Sequence, residues 1–429
     1  MPDNVCRIIQ VLNNAGFEAY AVGGCVRDTL LSRVPLDWDI TTSAKPEQVK
    51  ALFRRTIDTG IQHGTVTVMF GKDGYEVTTY RIDGEYEDGR HPKEVTFTNN
   101  LVEDLKRRDF TINAMAYNGT EIVDEFNGLG DLEEGIIRAV GNAEERFTED
   151  ALRILRALRF SAQLNYEIEP DTVKAIIKLK DNLKQISAER IRVELTKLLM
   201  SGHPQKLTDV YNYGVTEVVL PIYNAYSDDE RSKIIEALML TARADRDCSD
   251  VLQGGDNDKK SEEYLRFSIL LMYAGAEKAK QVLRELKFDN ETIRCVTTLV
   301  ENIDNKPVLN DADIRRSIVR VGTDLVQVLI KLWRMTTPKE NGNSDKYIDY
   351  IDEYENHVNK ILDRGDCICM KNLALTGRDL IDELNMKPGK ELGEVLNYLF
   401  NKVLDEPGLN SREALLESAK EYVRNILGK

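Results

Sequence analysis

The sequence contains no run of roughly 18 uninterrupted apolar residues, so no segment reads as a membrane-spanning helix. Its first residues, MPDNVCRIIQVL, lack a basic start followed by a long apolar stretch, and secretion is not expected. Cysteine is sparse. Six residues scattered over 429 form no disulfide framework and suit a reducing cytoplasm. Positive charge is also short: 58 Lys and Arg stand against 73 Asp and Glu, a net charge of −15. Taken alone this argues against nucleic-acid binding, because phosphate contacts need cations. The average conceals local bias, however. Arginine is dense around Arg107–Arg108 and in Arg138–Arg159, while acidic residues gather in Asp228–Glu230 and Asp256–Glu263. A basic cleft inside an acidic chain stays open.

What is present fits an ordinary soluble protein: 42% hydrophobic and 31% charged residues, with room for two to four domains. Residues 1–140 alternate between helix and strand signals. Val5–Asn14 and Val26–Ser32 read as helices. Ala19–Val22, Asp37–Thr41, Thr65–Phe70 and Tyr75–Arg81 read as strands separated by turn glycines. From about Ala143 the pattern turns helical, with Leu152, Leu155 and Leu158, then Ile191, Leu195, Leu198 and Leu199, at helical spacing. Two polar stretches, Ala244–Glu263 and Thr336–Asp345, read as loops. The expected class is α+β: a head with a small mixed sheet, followed by a long helical body.

The strongest chemistry lies in Gly23-Gly24-Cys25-Val26-Arg27-Asp28 and Asp37-Trp38-Asp39-Ile40. On a strand, residues i and i+2 share a face, so Asp37 and Asp39 would present two carboxylates together. Such a pair is unfavourable unless a cation sits between them, and hard oxygen ligands suit Mg²⁺. The Gly23-Gly24 turn, between a strand and a helix, lets backbone N–H groups approach a triphosphate, and Arg27 is within reach of a phosphate oxygen. Glu76 adds a third carboxylate on a strand able to pair beside the first two. Each piece alone has a bland reading, a solvated strand edge or a simple turn. Their conjunction is the layout that two-metal phosphoryl transfer needs.

These motifs resemble the first motif of the polymerase-β-like nucleotidyltransferases, in the class II branch of tRNA CCA-adding enzymes and bacterial poly(A) polymerases. Four further segments resemble the later motifs of that family, in order: Arg107–Ala114, Asp131–Arg138, Glu149–Arg156 and Ser187–Glu194. The resemblance implies a nucleotidyltransferase head at 1–140 and a helical neck for base recognition at 141–205. A helical, degenerate HD-like body at 206–345 and a helical tail that binds tRNA at 346–429 would follow. It also implies CTP and ATP as substrates, tRNA as the partner, Mg²⁺ as the cofactor and a cytoplasmic enzyme. Catalysis falls to Asp37, Asp39 and Glu76, with Asp37 and Asp39 as the metal ligands. Nucleotide binding falls to Gly24, Arg27, Arg108, Asp109, Asp150, Arg153, Arg156 and Arg159, where Arg108 and Asp109 would hold the ribose.

Asp150 and Arg153, three apart, are expected as neighbours on one helix face, an acceptor beside a fork of donors. Cytosine and adenine each offer an amino donor next to a ring acceptor, whereas uracil and guanine reverse the order. The bland reading is a surface ion pair; the resemblance implies a protein template for the base. The polar segment Ile82–Pro92 is expected as a loop that favours terminal A addition. An A-adding enzyme, a poly(A) polymerase and a catalytically idle RNA-binding protein are the alternatives. Met272-Tyr273 stands where an HD site would need a His-Asp pair, and with only four histidines in the chain a second hydrolytic site is not expected. Ser187 is expected to cap the helix that follows it, and Asn385 to end one in the left-handed conformation. Cys367 and Cys369 are expected to be structural.

Overall fold

The computed structural model describes residues 1–84, 95–247, 256–337 and 344–425. Contacts divide the chain into two compact units, Met1–Arg246 with Glu285–Phe288, and Asp247–Arg284 with Asp289–Lys429. The first opens with helix α1 (Asp3–Asn14), whose Val5, Ile8, Ile9 and Leu12 recur at helical spacing and are buried. Strand β1 (Ala19–Val22), helix α2 (Gly24–Leu30), strand β2 (Asp39–Thr42) and helix α3 (Pro46–Leu52) follow. Next come β3 (Thr56–Gly60), β4 (Thr65–Phe70), β5 (Asp73–Thr79), β6 (Arg81–Asp83) and β7 (Val95–Phe97). Helix α4 (Leu101–Lys106) and strands β8 (Ala116–Tyr117) and β9 (Ile122–Val123) complete the head.

Seven strands form one sheet in the order β3-β4-β5-β2-β1-β8-β9. The β2–β5 pair is parallel and the other pairs are antiparallel, so the sheet is mixed as expected. Alternation along β4 explains its place: Val66 and Val68 point into the core while the threonines between them face the other way. Arg81–Asp83, expected partly as strand end and partly as loop, instead pairs with Val95–Phe97 as a separate ribbon. Residues 85–94, the heart of the expected Ile82–Pro92 loop, lie outside the described residues.

Helix α5 (Gly128–Glu134) and strand β10 (Ile136–Ile137) lead into helix α6 (Ala143–Glu149) and helix α7 (Leu152–Leu164). Strand β11 (Glu167–Ile168), helix α8 (Pro170–Leu179) and helix α9 (Ala188–Leu199) come next. Helix α7 is buried almost all round, Leu152, Ile154, Leu155, Ala157, Leu158, Phe160 and Leu164 included, which marks it as the central helix of this unit. Helix α9 packs along it.

The second unit carries no strand among the described residues. The polar stretch Ala244–Glu263 is not a loop at its ends, since helices run over Asp228–Asp247 and Asp256–Leu271. Asn257–Lys260 lie on the exposed face of the second helix, whose apolar face, Tyr264, Leu265 and Phe267 among it, is buried; residues 248–255 lie outside the described residues. Towards the C-terminus, Leu380, Val395, Leu399, Val403 and Leu415 share one core. Thr376 and Asp379 form a capping box ahead of Gly377–Leu384, and Asn385 ends that helix at φ 51°, as expected. Cys367 donates to the Cys369 carbonyl, and both are free thiols. Among the described residues no helix is long and apolar enough to cross a membrane.

Candidate active site

Strand register builds the carboxylate face. β1 ends at Val22, the partner of Asp39, and Asp39 stands opposite Glu76 on the parallel strand β5. Directly opposed residues point to the same face, so these two carboxylates share it, next to the turn that follows Val22. Asp37 departs from expectation: β2 begins only at Asp39. Beyond Val22 the chain of β1 turns away at Gly23, and nothing on that side remains for Asp37 to pair with. Asp37 still acts on the others electrically. Loss of water raises the Asp39 carboxyl above its ordinary value, Arg108 opposes this and Asp37 adds to it, although part of Asp39 stays open to solvent. Glu76 is raised as well, by desolvation, then by Asp39 and Asp37.

The turn itself needs glycine. Gly23 has φ +81°, and a Cβ there would lie 3.1 Å from Arg108 Nη1. The glycine thus lets the Arg108 guanidinium pass close to the backbone at the start of α2. Helix α2 begins at Gly24 rather than at Val26.

On the same face as Asp39, beside Thr41 two residues along β2, sits Asp104, a residue that sequence reading did not single out. Its fully buried carboxylate accepts from Arg107 (2.7 and 3.0 Å), from Thr41 Oγ1 on β2 (3.1 Å) and from the Arg81 amide (3.3 Å). Burial works against its charge, but Arg107 and Arg108 outweigh burial and the pKa falls. Arg108 reaches Asp104 only at 3.4 Å, and its Nε is buried with no hydrogen-bond partner among the described residues. Such a donor is costly unless a ligand takes it. The spacing Asp104, Arg107, Arg108 is i, i+3, i+4 on a helix, the signal from which this cluster was readable.

A second chain of contacts joins α2 to α7. Arg27 donates to Asn113 Oδ1 (2.6 Å), Asn113 Nδ2 to Asp109 Oδ1 (3.1 Å), and Arg156 Nε to Asp109 Oδ2 (2.7 Å). Burial raises the Asp109 carboxyl, but Arg156 and the Asn113 hydrogen bond more than reverse this and hold it well below the usual carboxylate range. Phe160 stands among three arginines: the guanidiniums of Arg27, Arg156 and Arg159 lie 5.0, 5.4 and 4.1 Å from its ring centre. Arg159 is also paired with Glu194 on α9 at 2.8 Å, both side chains buried. Desolvation pushes Arg159 down to about 10 despite Glu194.

The two residues expected to read the base, Asp150 and Arg153, are not arranged as expected. Asp150 is not on the helix that carries Arg153. It lies in the break between α6 and α7 with extended backbone (φ −141°, ψ 102°), and its Oδ1 accepts from the Leu152 amide at 3.0 Å. Its Oδ2 accepts from Arg190 Nη2 of α9 at 2.8 Å. Arg153 instead pairs with Glu149 (3.0 Å) and donates to the Arg107 carbonyl (2.9 Å). An aspartate just ahead of an apolar helical run is a helix-start signal, and it was there to be read at Asp150. Glu149, Arg190 and Glu194, which pair with Arg153, Asp150 and Arg159, were visible in sequence only as members of motifs. Ser187 sits at the N-cap of α9 without a side-chain bond to the first turn.

Asp37, Asp39, Glu76, Gly24, Arg27, Arg108, Asp109, Asp150, Arg153, Arg156 and Arg159 all fall within the first compact unit. The poly(A) polymerase head-domain model matches residues 19–138. A model described as a probable RNA- and SrmB-binding site of polymerase A matches 165–227, and one for tRNA nucleotidyltransferase domain 2 matches 258–419. The CCA-adding enzyme of Leuconostoc mesenteroides is 37% identical over 97% of this chain and 96% of its own length. That of Leuconostoc citreum is 38% identical over 97% and 96%. The crystal structure of the Bacillus stearothermophilus CCA-adding enzyme in complex with CTP aligns over 99% of this chain and 100% of its own, with a TM-score of 0.75 and 29% identity. With relatives this similar over nearly the full length, and with three family models matching in succession along it, the chain belongs to the CCA-adding tRNA nucleotidyltransferase family.

Proposed function

We propose that this protein adds C, C and A in turn to the 3′ end of tRNA, taking CTP and ATP and releasing pyrophosphate, with base choice made by protein side chains. The observation that carries this reading is the convergence of two sets of groups in one unit: the Asp39–Glu76 carboxylate face beside Gly23 and Arg108, and the Asp150 and Arg153 heads. Arg108, with a buried Nε in want of an acceptor, would take an oxygen of the bound nucleotide. Asp109 would orient Arg156 toward the same substrate. Asp150 would accept the amino hydrogen of cytosine or adenine while Arg153 donates to the adjacent ring nitrogen, a pattern that uracil and guanine leave unpaired.

Among the described residues no group of three or more Asp, Glu, His or Cys side chains is gathered closely enough to hold a metal by itself. Mg²⁺ is commonly held by one or two carboxylates together with substrate phosphates. Asp37 and Asp39 would hold it, and the upward push on Asp39 and Glu76 from lost water and neighbouring carboxylates fits a face built to receive a cation. When bound, Mg²⁺ supplies charge neutralisation at the phosphates and activation of the RNA 3′-hydroxyl. Glu76 would help order that face or take the hydroxyl proton. We assign 1–140 as the catalytic head, 141–205 as the base-reading neck, 206–345 as the body and 346–429 as the tRNA-binding tail, in a cytoplasmic enzyme.

The test is to incubate the protein with tRNA ending at the discriminator base, with CTP alone, ATP alone and both, and to size the products. Two additions with CTP and a third only when ATP is present support the reading. Addition of A alone, or of a long A tract, favours the A-adding or poly(A) alternatives; no addition at all favours the idle RNA-binding one.

A further inference from the structure

Asp150 is an acceptor held at both oxygens. Oδ1 takes the Leu152 amide at 3.0 Å and Oδ2 takes Arg190 Nη2 at 2.8 Å. A carboxylate gripped at both ends has a fixed plane, yet each oxygen keeps capacity for a further donor. The first grip comes from the start of α7, the helix that carries Arg153. The second comes from a different element, α9. That element is itself locked in place: Glu194, four residues beyond Arg190 and so on the same face of the helix, makes a buried 2.8 Å pair with Arg159 of α7. Arg190 thus projects from a helix whose register against α7 is fixed by a second ion pair of opposite polarity. Arg153 is anchored separately, by Glu149 and the Arg107 carbonyl. The acceptor and the donor of the base-reading pair are each set by their own partner.

We propose that Arg190 is a positioning residue for nucleotide selection, fixing the Asp150 carboxylate in the orientation that accepts an amino group from the incoming base. This rests on the reading that Asp150 and Arg153 choose the base. A brace that only supported the fold would affect all four nucleotides alike. A residue that orients the acceptor affects those that offer an amino donor, and so changes the ratio between right and wrong bases. A small misplacement of a reading group is enough for a large change in rate.

The full-length protein is assayed for single-nucleotide addition to tRNA ending at the discriminator base, with kcat and KM measured separately for CTP and UTP. The variants are Arg190→Ala, Arg190→Lys, Asp150→Ala and the Asp150→Ala/Arg190→Ala double. Arg190→Ala is expected to raise the UTP-to-CTP ratio of kcat/KM about tenfold, chiefly through KM for CTP. Arg190→Lys keeps the charge but not the planar fork, and restores part of the discrimination. In the Asp150→Ala background, removal of Arg190 changes the ratio by less than about twofold, because the two act as one unit. If Asp150→Ala relaxes the ratio and neither folded Arg190 variant does, Arg190 is a brace and the proposal is overturned. If Asp150→Ala leaves the ratio unchanged, the base-reading assignment itself fails and the proposal falls with it. Circular dichroism melts identify any variant that has lost its fold, and Arg190→Lys then carries the decision.

Discussion

Asp39 and Glu76 are register partners on adjacent parallel strands; lost water and Asp37 push the Asp39 carboxyl up against the pull of Arg108, and lost water, Asp39 and Asp37 push Glu76 up. Backbone pairing keeps the two residues side by side on one face. Their repulsion is therefore available for a cation or a proton to relieve.

Replacing Asp39 with Asn should abolish nucleotide addition and leave tRNA binding in place. Loss of a metal ligand is expected to slow turnover by more than about a hundredfold. Single-turnover extension at saturating Mg²⁺, alongside a filter-binding titration with tRNA, checks both halves. Turnover within tenfold of the parent would remove Asp39 from the metal site, roughly the limit a ligand loss allows.

Gly23→Ala acts on both the backbone and Arg108. Its φ of +81° strains any side chain, and the new methyl would meet Arg108 Nη1 at 3.1 Å. A loss of about 1–3 kcal/mol in stability is expected from the backbone. In addition, KM for both CTP and ATP should rise as Arg108 is displaced. A lowered melting temperature with unchanged KM would separate the two and leave Gly23 as a purely conformational residue.

Asp109 ties stability to pH. Its folded pKa lies below its unfolded value because Arg156 and Asn113 outweigh burial. The stabilisation is therefore fully present above the unfolded carboxylate value, near pH 4, and is lost as pH falls toward the folded one. The parent's advantage over Asp109→Asn in urea midpoint should be constant from about pH 5 to 8 and shrink at lower pH. An advantage that does not change with pH would show that Asp109 is not ionised in this network.

The Arg159–Glu194 pair should behave as a buried ion pair. Glu194→Ala leaves Arg159 buried without its counter-charge and is expected to cost about 3–5 kcal/mol. The Arg159→Met/Glu194→Leu double should cost much less, because no charge is then left unpaired in the interior. Denaturant unfolding of the single and double variants gives the comparison. Equal losses in both would mean that packing around Phe160, not charge, holds α9 to α7.

Much of the fold was legible in the sequence because its signals are local. The Ala19–Val22 strand, the Thr65–Phe70 strand and the left-handed Asn385 follow from alternation and turn chemistry over a few residues. The pairing of Glu76 with Asp39 was foreseen because one β-strand face was being completed. Asp37 was misplaced because alternation shows that a strand exists and not where it ends; β2 pairs with both neighbours only from Asp39 onward. The Asp150–Arg153 face was misread because a three-residue spacing assumes a continuous helix, whereas Asp150 interrupts one and starts the next. Asp104 carried a readable i, i+3, i+4 spacing with Arg107 and Arg108, whereas Arg190 and Glu194 needed tertiary contact to acquire meaning. Arg190 is forty residues from Asp150, and nothing in the spacing says that α9 returns to that break. Ala244–Glu263 misled for another reason: charged helical surface and loop have the same composition, and only burial of Tyr264 and Phe267 tells them apart.

The central claim is that side chains of this protein, not a nucleic-acid template, choose C, C and then A. The most direct measurement is to incubate the enzyme with tRNA ending at the discriminator base and all four nucleoside triphosphates at equal concentration, and to sequence the product 3′ ends. The account predicts ends of CCA and no further residues, with U and G rare in the parent and increased in Asp150→Ala. Ends that carry U or G as often as C, or A tracts without a preceding CC, would contradict it.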